Sequence, residues 1–101
     1  MRMIVRWTVP VERGNEAIRD GTMTRTIEAL TETLRPEAAY FWAEKGRRAG
    51  MLVFDMADTS QIPQIAEPLF VNLDAEVEFV PAMSAEDLKK ALAAIDVDAL
   101  K

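Results

Sequence analysis

Arg6 stands in the middle of "MIVRWTV", Met3–Val9, an alternating run that otherwise suits a buried strand. A guanidinium stays charged under ordinary conditions and presents a rigid fork of donors, so here it must be paired or must hold an anion. Two carboxylates on other strand-like runs are its expected partners, Asp55 in "MLVFDM" and Glu78 in "DAEVEFVP". If the three share a face, crowding raises a carboxyl pKa, and Asp55 or Glu78 becomes a general base with Arg6 as oxyanion partner. Arg6 could instead anchor the carboxylate or enolate of a bound ligand. The structural alternative is an ion pair in a half-covered sheet, and it is preferred, because an unpaired buried charge is costly and a paired one is common. Tyr40 and Trp42, two apart in "EAAYFWAE", fall on one side of a strand and offer walls for a planar organic ligand. The same rings could equally serve packing or a dimer interface.

What the chain lacks narrows the chemistry. It has no histidine and no cysteine. That removes the commonest general base and metal ligand, the thiol nucleophile and any disulfide. Its four glycines, Gly14, Gly21, Gly46 and Gly50, are scattered and form no phosphate-binding fingerprint. No metal and no cofactor are therefore expected. Twelve basic residues against seventeen acidic give a net charge of −5, which argues against a nucleic-acid surface. The one basic cluster, "EKGRRAG", is explained by a turn. No apolar run approaches the roughly 20 residues of a membrane span, and the start carries no signal-like apolar region. A cytoplasmic protein is the expectation, with half of its 101 residues hydrophobic and enough of them for one domain over residues 1–101.

The elements that must position these residues follow from periodicity. Met3, Val5, Trp7 and Val9 alternate with Arg2, Ile4, Arg6 and Thr8, and Pro10 ends that strand. Residues 11–17, "VERGNEA", read as a polar connection or a frayed turn. From about Asn15 to Arg35 the stripe Met23, Ile27, Leu30 and Leu34 predicts a helix, weakened near Gly21 and stopped by Pro36. Ala38–Glu44 and Ala49–Met56 are strands joined by a turn over Lys45–Arg48. A second helix carries Ile62, Ile65, Ala66 and Leu69, is capped by Asp58, Thr59 or Ser60, and is short or bent near Pro68. Asp74–Pro81 is a fourth strand. Ser84 and Asp87 form a capping-box pattern for a terminal helix with Leu88, Ala91, Leu92 and Ile95 on one side.

That order predicts an α+β, ferredoxin-like βαββαβ sheet with strand order 4-1-3-2 and an extra C-terminal helix. Both crossover helices then cover one face. The other face would carry Ile4, Arg6, Thr8, Tyr40, Trp42, Glu44, Met51, Val53, Asp55, Glu76, Glu78 and Val80, with Glu44 and Glu76 as solvated strand ends. It is too apolar and aromatic for simple solvation, and such a patch marks an interface or a ligand groove.

With "MIVRWTVP" at the start, the central hairpin, and "AEVEFVPAMSAEDLKKAL" near the end, the chain resembles the dimeric α/β-barrel superfamily, most closely its small bacterial proteins of unknown function. The resemblance spans nearly the whole chain and rests on element order and strand texture. It implies a homodimer packed sheet on sheet, around a cavity suited to a small aromatic or acidic ligand. The superfamily also holds cofactor-independent isomerases and monooxygenases, so an enzyme acting on a small aromatic or enolisable compound is the alternative, and a structural dimer module a third. Its haem-using members ligate iron through a histidine, which this chain lacks.

Overall fold

The computed structural model describes residues 1–101. Strand β1 runs over Arg2–Val9, helices α1 and α2 over Val11–Asp20 and Thr22–Leu34, strands β2 and β3 over Ala38–Glu44 and Arg47–Asp55, helix α3 over Gln61–Leu73, strand β4 over Glu76–Pro81, and helix α4 over Ala85–Ala93, before a 3-10 turn at Val97–Leu100. The four strands form one open antiparallel sheet in the order β2-β3-β1-β4, which is the expected order seen from the opposite edge. No helix is long and apolar enough to cross a membrane.

The first crossover differs from the single helix expected over Asn15–Arg35. Helix α1 starts directly after Pro10, whose extended backbone (φ −57, ψ 142) and missing N–H suit a helix start, and Gly14 N–H closes the first turn on Pro10 O at 2.8 Å. "VERGNEA" is thus helical: its polar side chains face water, while Gly14 and Ala17 face inward. Gly21, at φ 82, breaks the path into α1 and α2 by adopting the left-handed conformation that L-residues avoid.

The hairpin turn is tighter than Lys45–Arg48. Lys45 and Gly46 alone form it, both at positive φ as a type I′ turn requires, and Glu44 then pairs with Arg47. Asp74, expected in β4, instead caps α3 in the left-handed region, with its N–H on the Leu69 and Phe70 carbonyls. Helix α3 continues through Pro68 to Leu73. Asp58 Oδ1 accepts the Ser60 N–H at 2.8 Å in the turn that leads into it.

The core lies between one face of the sheet and α1, α2 and α3. Met3, Val5, Trp7, Val9, Leu52 and Phe54 from the strands meet Ala17, Leu30, Ile65, Leu69 and Leu73 from the helices. Gly50 has a specific place there. The Trp7 indole lies across it and meets Phe41 edge to face, with centroids 6.2 Å apart. A Cβ at position 50 would sit 2.5 Å from Trp7 Cζ2, so only glycine leaves room for the ring.

Helix α4 stands apart from this core. Its N-terminus is a complete capping box, Asp87 N–H to Ser84 Oγ and Ser84 N–H to the Asp87 carboxylate, and the latter bond holds the Asp87 carboxyl below its ordinary value. None of its residues is buried. The molecule measures 58 × 29 × 19 Å with a radius of gyration of 16.8 Å. A compact chain of this length would have about 13 Å.

Candidate functional site

The face of the sheet turned away from the helices is built in rows by the strand register. Ala38, Val53, Ile4 and Val80 form one row, Tyr40, Met51, Arg6 and Glu78 the next, and Trp42, Ala49, Thr8 and Glu76 the third. No helix covers these rows. Tyr40 is 63% exposed and Val80 40%, while Ile4, Met51 and Val53 are half-buried. The aromatic pair Tyr40 and Trp42 therefore stands on this open face, as the alternation in β2 required, with Phe41 on the helix side beside Gly50.

Arg6 occupies the middle of the face. Its Nη2 donates to Glu44 Oε1 at 2.9 Å, and its Nε lies 3.6 Å from Glu78 Oε1. The guanidinium carbon is 5.8 Å from the Trp42 ring centroid, within the range of a cation–π contact. Trp42 Nε1–H donates to the same Glu44 oxygen at 3.3 Å. Glu44 thus ties the arginine and the indole into one unit and fixes both orientations. This differs from the solvated strand end that the sequence predicts for Glu44. The signal for it lay in parity, because Glu44 is two residues past Trp42 and must share its face.

Asp55 is not part of this unit. It stands opposite Arg2 in the β1–β3 register, where Met51 stands opposite Arg6. Its Oδ1 accepts from the Met1 ammonium at 2.7 Å, and that hydrogen bond, followed by the ammonium charge, holds its carboxyl below the ordinary value. The expected Asp55–Arg6–Glu78 cluster is replaced by Glu44–Arg6–Glu78. The antiparallel pairing of β1 and β3 sets this, since it brings the end of one strand to the start of the other. A shared-proton pair of Asp55 and Glu78 is not assembled, and the lowered Asp55 pKa is the opposite of what a base near neutral pH needs.

Beside Arg6 the face dips into a hollow of about 140 Å³ lined by Arg6, Trp7, Thr8, Glu44, Glu76, Val77 and Glu78. Three carboxylates against one guanidinium make its charge net negative. An anionic ligand there would meet repulsion from Glu76 and Glu78. The β2 and β3 ends of the same rows, Tyr40 with Met51 and Trp42 with Ala49, carry no charge. No group of three or more acidic side chains converges closely enough to hold a metal ion.

Two other hollows lie on the helix side. One, of about 480 Å³, runs between α2 and α3 past Arg25, Thr26 and Asn72, and Asn72 Nδ2 donates to Thr26 Oγ1 within it at 3.2 Å. The other, of about 390 Å³, is an apolar groove along α2 at Trp7, Met23, Ile27 and Phe41. Neither holds a cluster of ionisable groups on the scale of the Arg6 unit.

A family model described as a domain of unknown function (DUF3303) matches residues 1–96. No curated protein matches the sequence.

Proposed function

The chain belongs to the DUF3303 family, and for this member we propose a homodimeric small-ligand-binding protein of the ferredoxin-like, dimeric α/β-barrel type. Two copies face each other through their open sheets, and a small planar aromatic molecule lies between them against Tyr40 and Trp42. One observation carries this reading: an uncovered sheet face that is apolar and aromatic along its rows yet holds an ordered charged unit at its centre. A face meant only for water would be polar, and the Arg6–Glu44–Trp42 contacts hold an aromatic surface in place on this one.

Arg6 is a positioning residue in this account. Through Glu44 and the cation–π contact it fixes the Trp42 ring, so the stacking surface is preformed and ligand binding orders less. The negative balance of the hollow favours uncharged aromatic ligands over acids. A thermal-shift comparison tests this with indole, 2-naphthol and quinoline beside benzoate and phthalate. The uncharged compounds are expected to raise the Tm of the wild type, by roughly 4–8 °C for each kcal/mol of binding free energy in a domain of this size. Trp42→Ala is expected to abolish the shift, and Arg6→Met to reduce it without abolishing it. Stabilisation by the acids alone, lost in Arg6→Met, would instead make Arg6 an anion anchor and overturn this assignment.

A further inference from the structure

We propose that α4 and the tail behind it form an arm that packs on a second copy of the chain, so that each protomer clasps the other. Resting on the dimer reading above, this adds the surface that holds the dimer together.

Helix α4 lacks support within its own chain. Helix α4 has nine residues and a full capping box. Helices shorter than about 12–15 residues are marginal in water without tertiary packing. Its own body supplies none, since no residue of α4 is buried. Yet it carries the apolar pair Leu88 and Leu92, 44% and 58% exposed, which Ile95, 45% exposed, continues just past the helix end. Val97 and Leu100 extend the exposed apolar surface to the end of the chain. The length of 58 Å shows that the arm projects rather than folds back.

Its root is fixed, and fixed beside the open sheet face. Ala82 N–H bonds to Arg2 O at 3.1 Å, and Asp87 Oδ2 lies 3.5 Å from Arg2 Nη1. Arg2 also holds Glu37 through Nε at 2.6 Å. By strand alternation Arg2 lies on the same face as Ile4 and Arg6. The root of the exposed arm and the uncovered sheet face therefore adjoin, and both belong to one chain.

That adjacency names the occupant. In a two-fold dimer each patch on one copy meets its complement on the other, so sheet covers sheet while each arm lies along the partner's body. The helix is charge-balanced, Glu86 and Asp87 against Lys89 and Lys90, so it brings no net charge against Glu76 and Glu78 on the edge strand β4. A stable interface needs about 800 Å² from each partner, and a small sheet face extended by an arm is better placed to reach that than the face alone.

The test uses the full-length chain. Leu88→Glu/Leu92→Glu keeps good helix formers on positions that are exposed within the chain, so the fold has no reason to fail. Sedimentation velocity over a concentration series is expected to show the dimer dissociation constant raised at least tenfold, with the circular dichroism of the sheet and core helices unchanged. Because the chain has no cysteine, Leu92→Cys can be labelled at that one position with a benzophenone maleimide. Irradiation is expected to give a covalent product at twice 11.3 kDa. A wild-type dimer whose dissociation constant is unchanged by the double substitution, or cross-links confined to single chains, would overturn the arm and leave the sheet-face dimer standing. A wild type that stays monomeric throughout would overturn both.

Discussion

Phe54→Ala is expected to lower the unfolding free energy by about 3–5 kcal/mol, the usual cost of truncating a buried aromatic residue. Phe54 is 1% exposed on the central strand β3, opposite Met3 in the register, with helices over it. Its ring sits in the one cluster that joins β1, β3, α2 and α3, so no neighbouring surface can close on the cavity. A domain of this size has about 5–15 kcal/mol in total, so the variant should lose a large share of it. Urea unfolding of wild type and variant at matched protein concentration would read the difference. Matching matters, because association adds to apparent stability by mass action. A loss below about 1 kcal/mol would mean that the sheet's helix face is not the main core.

Gly50→Ala is expected to destabilise by about 1–3 kcal/mol through overpacking, although it adds a single methyl group. The new Cβ would approach Trp7 Cζ2 to 2.5 Å and Phe41 Cδ1 to 2.9 Å. Phe41 is 57% exposed and can swing outward, but Trp7 is 4% exposed and cannot move without opening the core beside Val9 and Leu52. The methyl therefore breaks the edge-to-face contact between the two rings and pushes the indole off its seat. Shrinking the ring should relieve the clash, so Gly50→Ala is expected to cost less in a Trp7→Leu background than in the wild type. A double-mutant cycle by urea unfolding measures that coupling. Simple additivity would mean that the methyl is accommodated without moving the indole.

The sheet was legible because its strands alternate. Met3, Val5, Trp7 and Val9 against Ile4, Arg6 and Thr8 assign two faces to β1, and the same parity puts Tyr40 and Trp42 opposite Phe41. The first turn of α1, Val11–Gly14, was hidden because the inward side of the helix is made of Gly14 and Ala17, which leave no hydrophobic stripe to read. The partners of Arg6 were only half legible. Glu78 follows from β4 lying beside β1, but the β1–β3 register is set by packing across the whole α1–α2 crossover, with no tight turn to fix it. That is why Asp55 falls beside Arg2 and Met1, and why Glu44, delivered to the face by the Lys45–Gly46 turn, takes its place. Helix α4 shows the converse. Its capping box and stripe were plain in the sequence, but that no residue of the helix is buried within its own chain is a property of the fold alone.

A dimer requires the open sheet face to be a covered surface in solution. Sedimentation equilibrium of the wild-type chain at low micromolar concentration tests this most directly. A species of twice the 11.3 kDa chain mass is the predicted result. A single-chain mass that persists into the high micromolar range would leave Ile4, Tyr40, Trp42 and Val80 facing water, and would contradict it.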